Sequence, residues 1–226
     1  MVQEDQAGFR AGYAVVKDGY TKLGFMGGMA GPAVIRFGYG FVQGAEFAAE
    51  EDGITGLEIM YNYTGAFSAT PEAQSMAASW YQNGTEVIFG CGGAVGNSVM
   101  AAAQEKNAKV IGVDVDQSAN IDTDGEGMCV TSAMKGLGAA VKNGLDTVNA
   151  GDWSTIAGTN GNFGLEEGDY VGLPTDEASW NFSTFTMDEY NTVLEKIRNG
   201  EIKVDNNSDD ATKPTTSSNI TVDYQV

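Results

Sequence analysis

The feature that most restricts the fold of this chain is a repeated order of short apolar run, glycine-rich turn and alanine-rich helical stretch. Leu23-Gly24-Phe25-Met26-Gly27-Gly28 leads into a helical pattern over 33–51, and Leu57 to Tyr63 leads into one over 71–82. Glu86-Val87-Ile88-Phe89-Gly90-Cys91-Gly92-Gly93 precedes 95–107, Lys109 to Asp114 precedes a polar loop, and Met128 to Ser132 precedes a helix predicted over 133–149. Apolar runs that end in glycine and feed helices, at a spacing of roughly 25–30 residues, are βαβ units. Parallel strands need a crossover between them, and both faces of their sheet must be covered. The expected class is therefore α/β, a doubly wound parallel sheet with helices on both faces.

Local punctuation agrees. Thr70-Pro71-Glu72 supplies an N-cap followed by proline at the first helical position, and Asn83-Gly84 and Asn199-Gly200 supply left-handed stops for helices over 71–82 and 187–199. Residues 2–17 read as a helix with Phe9, Tyr13 and Val16 on one face, ahead of the first strand. The parts expected are an opening helix within 1–19, a ligand-binding α/β lobe over 20–160, a crossover segment and closing helix over 161–204, and a tail over 205–226. That tail reads as polar and mobile as far as Ser218, then alternates like an edge strand from Ile220.

Charge and composition remove whole classes of chemistry. The 226 residues include 12 Lys+Arg, 31 Asp+Glu and no histidine, for a net charge of −19. Without histidine there is no Ser-His-Asp or Cys-His arrangement and no histidine metal site. A surface this acidic repels phosphate backbones, so nucleic acid is not an expected partner. Cys91 and Cys129 form no CxxC pair. Asn120-Ile121-Asp122-Thr123-Asp124-Gly125 imitates the start of a calcium loop, but Thr131 stands where a bidentate glutamate is required. No metal or cofactor is expected, and no nucleophile, base and orienting group come together.

In open parallel sheets ligands lie outside the carboxyl ends of the strands. Phe67, between Gly65-Ala66 and Ser68-Ala69, is either a ring that stacks on a planar ligand or a core residue. Gly92-Gly93 either lets backbone approach a ligand or makes a tight turn between strand and helix. Asp114 either accepts hydroxyl hydrogen bonds in the cleft or caps a turn. Lys135, in a chain poor in bases, is either a donor in the cleft or a surface lysine.

Taken in order, Gly24-Phe25-Met26-Gly27-Gly28-Met29 with Pro32, Arg36-Phe37 and Gly40-Phe41, then Tyr63-Thr64-Gly65-Ala66-Phe67, Gly92 to Asn97, Ile111 to Gln117 and Thr131 to Lys135 resemble the basic membrane protein family. Gly200-Glu201-Ile202-Lys203-Val204 is similar to that family's closing helix, and the resemblance runs over about residues 3–204. These are purine nucleoside receptor-like, substrate-binding lipoproteins of ABC transporters. The resemblance implies the second lobe of a type I periplasmic binding protein, with the opening helix left from a first lobe that is otherwise unmatched. It implies that Phe67 stacks on a base, that Gly92 and Gly93 admit the ligand, that Asp114 and Lys135 bind ribose hydroxyls and nearby polar groups, and that Asp116 and Gln117 support them from behind. It also implies inosine, guanosine or adenosine as ligand, a transporter permease as partner, an extracytoplasmic, membrane-anchored location and no catalysis. A lone lobe would expose its interface and favour a homodimer. Two other readings remain: a ligand-sensing regulatory domain of the same fold, and a nucleoside-processing enzyme.

Overall fold

The computed structural model describes residues 1–122 and 127–225. Strands β1 (Lys22–Gly27), β2 (Leu57–Tyr63), β3 (Val87–Cys91), β4 (Lys109–Asp114) and β5 (Cys129–Lys135) run parallel. The two-residue β6 (Val171–Gly172) pairs antiparallel with β5, and β7 (Ile220–Gln225) pairs parallel with β2. The order across the sheet is β6-β5-β4-β3-β1-β2-β7. The expected α/β class is what the chain adopts.

The helices are α1 (Glu4–Lys17), α2 (Pro32–Asp52), α3 (Pro71–Gln82), α4 (Val95–Lys106), the short α5 (Ser118–Ile121), α6 (Leu137–Asn149), the short α7 (Trp153–Ile156) and α8 (Met187–Arg198). Strand alternation divides the core in two. Phe25, Phe89 and Ile111 point to a layer built with α1, α2 and α8, while Met26, Ile88 and Val110 meet Ala73, Ala77 and Trp80 of α3 and Val99 and Ala102 of α4. The caps are as the sequence suggests: the Thr70 hydroxyl accepts from the Ala73 N–H at 3.1 Å, and α8 opens with a Thr186–Glu189 capping box.

Three differences from the sequence reading have physical causes. The helix expected over 133–149 starts only at Leu137, because Ala133, Met134 and Lys135 extend β5 and pair with Val113 and Asp114 on one side and with Gly172 and Val171 on the other. The opening helix, α1, is packed wholly within this body. Gly8 and Gly12 of α1 lie against the Phe37 and Phe41 carbonyls of α2, and Gly40 and Gly44 of α2 lie against the Asp5 and Phe9 carbonyls of α1, so close that a Cβ at any of the four would overlap an oxygen. The polar tail is strapped down: Tyr39 donates to Asp210 at 3.0 Å, Gln43 donates to the Asp205 carbonyl at 3.0 Å, and Lys213 Nζ lies 5.0 Å from the Tyr224 ring centre. None of the residues of α6 is buried, although its apolar residues are gathered along one side. The calcium-like segment lies partly outside the described residues.

Candidate functional site

Strand order reverses between β1 and β3, and the carboxyl ends there are stitched together. Gly28 donates to the Cys91 carbonyl at 2.8 Å, Thr64 to Gly27 at 2.9 Å and Gly65 to Gly28 at 3.1 Å. Such a reversal leaves a crevice outside the sheet. The loop after β2 folds back over it, with the Ala94 N–H donating to the Phe67 carbonyl at 2.8 Å.

Gly92 (φ 132°) and Gly93 (φ 58°) make this turn, and neither could carry a side chain without meeting Gly28 or Phe67. Gly28 has the Phe67 ring directly over it. Phe67 therefore rests one side on a floor of three glycines and remains 44% exposed. A ring held against backbone with its remaining surface in solvent is a ready stacking platform.

Two strands along the same edge, β4 ends at Asp114 in the left-handed conformation (φ 70°), which Asp tolerates better than most residues. Its Oδ1 is buried, 2.8 Å from Lys135 Nζ at the end of β5, while the side chain as a whole is 48% exposed. One carboxylate oxygen thus holds the lysine and the other faces solvent as an acceptor.

Lys135 belongs to a longer line of charge that the sequence did not reveal. Its Nζ is 3.9 Å from Glu4 of α1, which accepts from Arg36 Nε of α2 at 2.8 Å, and it lies 5.3 Å from the Phe37 ring centre. Glu4 and Arg36 are both buried. Alternating charges of this kind hold the ammonium in one place, with the net charge of the group near zero.

Asp116 and Gln117 lie under Asp114 and shape its loop. Gln117 Oε1 accepts the Val113 N–H at 2.8 Å, and the Gln117 N–H donates to Ser132 Oγ at 3.1 Å. The missing side chain of Gly112 gives Gln117 its room. Asp116 accepts from the Ser118 N–H and the Ser179 hydroxyl. Burial raises its pKa, but those hydrogen bonds outweigh burial and hold the carboxyl below its usual range.

The structure thus forms two groups of the candidates on one edge: Phe67 with Gly92 and Gly93, and Asp114 with Lys135 over Asp116 and Gln117. Cys91 and Cys129 are free and buried. Burial pushes the Cys91 thiol well above its usual pKa and Cys129 up to about 12, so neither is a nucleophile near neutral pH. Among the described residues no group of three His, Cys, Asp or Glu side chains is placed to hold a metal, and no helix is long and apolar enough to cross a membrane.

An α/β body with a crevice at its strand-order reversal is an architecture suited to binding a small ligand. Residues 2–208 match the family model described as ABC transporter substrate-binding protein PnrA-like, and the chain belongs to that family. It is 34% identical over 212 residues to basic membrane protein B of Borreliella burgdorferi, covering 91% of this chain and 56% of that protein. It is 30% identical over 190 residues to the ABC transporter nucleoside-binding protein BmpA of Lactococcus lactis, covering 78% and 52%. The fold is shared with an ABC transporter solute-binding protein from Aeropyrum pernix (TM-score 0.77, 21% identity, 93% of this chain and 67% of that one). The chain spans about half the length of the curated relatives it matches. The family is one of extracytoplasmic solute-binding proteins rather than enzymes.

Proposed function

We propose that this chain supplies one wall of a purine nucleoside site in the substrate-binding component of an ABC transporter, with inosine, guanosine or adenosine held noncovalently and handed to a permease. The observation that carries the reading is the line Phe67, Gly92-Gly93, Asp114, Lys135 along a single sheet edge. Phe67 offers a face for the base, while the solvent-facing oxygen of Asp114 and the fixed Lys135 ammonium offer an acceptor and a donor for ribose hydroxyls. The name of the Lactococcus relative supports the ligand class. A nucleoside is neutral, which suits a site of balanced charge in a chain of net −19. In the whole protein this lobe works outside the cytoplasm, tethered to the membrane by a lipid anchor, and no bond is made or broken.

Calorimetry with the three nucleosides tests this directly. Asp114→Ala is expected to weaken binding by about 1–3 kcal/mol, the scale of lost hydrogen bonds to a charged group. An unchanged affinity, or no heat from the folded parent with any of the three, removes the proposal.

The second half of the cleft comes from a further lobe, and α6 is the surface for it. Leu137, Val141, Leu145 and Val148, with Trp153 of α7, are 48–63% exposed along one side, and the nearby charges Lys142 and Asp146 pair with each other. An apolar, uncharged face of this kind does not stay in water when it can pair. For the chain on its own we expect a homodimer through α6, read as a solution mass of twice 23.7 kDa that reverts to monomer in Val141→Glu/Leu145→Glu. A monomeric parent at about 100 μM, a concentration that populates dimers with micromolar Kd, would show the face to be unpaired.

A further inference from the structure

Beside the Asp114–Lys135 pair lies a cavity of about 680 Å³, a size in the range of small-molecule sites. Two of the side chains that line it, Arg10 of α1 and Tyr190 of α8, are only 1% and 3% exposed. Arg10 Nε donates to the Gln6 carbonyl and Nη1 to the Tyr190 hydroxyl, each at 3.1 Å, while Nη2 is buried without an acceptor. Neither of those partners is a carboxylate, so among the described residues the buried guanidinium has no contacting counter-ion. The Tyr190 oxygen also accepts the Leu173 N–H at 3.1 Å. Both of its lone pairs are then in use, and its own proton has no acceptor among the described residues.

Two buried donors on one cavity, one of them charged, suit an acceptor that brings negative charge. Water satisfies a donor but does not neutralise a guanidinium. The rest of the wall is mixed: Met134, Val171, Leu173 and Leu194 give it an apolar side, and Lys135, Thr175 and Asn191 a polar one. Asp114, Asp116, Asp169 and Glu195 also line the cavity, Asp114 paired with Lys135 and Asp169 with Arg198, each at 2.8 Å, and this acidity disfavours a multiply charged anion such as phosphate. We infer that this cavity binds a small organic monocarboxylate, its carboxylate on Arg10 and Tyr190 and its apolar body against the aliphatic wall. Asp114 and Lys135 line this cavity as well, so it adjoins the proposed nucleoside wall, but a nucleoside carries no carboxylate and the inference does not rest on that reading.

The test is an amide-resolved NMR titration of the whole chain with benzoate and hexanoate, and with benzamide as the neutral counterpart of benzoate. Saturable shifts at the Leu173 N–H with either carboxylate, at least tenfold weaker with benzamide, are expected. Arg10→Leu should lose the carboxylate response tenfold or more. No saturable shift at Leu173 up to about 20 mM carboxylate, well past the millimolar affinity expected of one charge-assisted contact, overturns the inference. So does an equal response to benzamide, and both readouts stand even if Arg10→Leu does not fold.

Discussion

Gly44→Ala is expected to destabilise the chain by about 2–3 kcal/mol, although alanine is the better helix former by roughly 1 kcal/mol. The new methyl would overlap the Phe9 carbonyl of α1, and a backbone oxygen inside a helix cannot swing aside as a side chain would. The two helices must part instead, and Phe9, Phe37 and Phe41, all almost fully buried, lose packing together. Gly144 in α6 provides the internal comparison, because a Cβ there meets nothing within 4 Å. Gly144→Ala should stabilise by about 0.5–1 kcal/mol. Urea denaturation of both variants decides the matter: if Gly44→Ala is as stable as Gly144→Ala, the close approach of α1 and α2 does not exist.

A second large effect concerns pH. Asp5, 2% exposed at the start of α1, has its pKa raised to about 7, chiefly by burial. Its own backbone N–H and Arg36 pull the value down, whereas Glu4 and Glu166 push it up. The folded state therefore keeps a proton on Asp5 over a range in which the unfolded chain, at 3.8, has released it. More protons bound when folded means that stability falls as pH rises from about 4 to about 7, and then levels off. Some three pKa units correspond to an upper bound of about 4 kcal/mol. Asp5→Asn should match the parent near pH 4 and exceed it by about 1–4 kcal/mol at pH 8, in denaturant titrations at the two values. Parallel pH profiles for the two proteins would rule out a buried, protonated Asp5.

What the sequence revealed and what it hid follow from the range of the interactions concerned. The βαβ order, the Thr70 cap and the place of Asp114 at the end of a strand are set by neighbours in the chain, and each is readable from periodicity and turn residues. The end of β5 was not readable, because Met134 and Lys135 are strand only through pairing with Gly172 and Val171, a contact made across the fold. Glu4 and Arg36 escaped for the same reason: each sits on a helix with no local mark of function, and only the crossing of α1 and α2 brings them to Lys135. A trace of that crossing was present in the four-residue spacing of Gly8 and Gly12 and of Gly40 and Gly44, a pattern suited to close helix contact. The exposure of α6 ran opposite to its pattern, since an apolar stripe normally implies burial.

The pairing of β7 with β2 bears on how the chain reaches this state. Leu57 waits for Ile220, and every other rung of that ladder joins equally distant residues. Closing so long a loop is slow compared with forming the neighbouring βαβ units. Until it closes, Leu57 to Tyr63 is an open sheet edge carrying leucine, isoleucine, methionine and two tyrosines, a template for another molecule's strand. The strap from Asp205 to Lys213 is pinned through Gln43 and Tyr39 by contacts just as distant in the chain, so once it docks only a short segment is left for β7 to find its place.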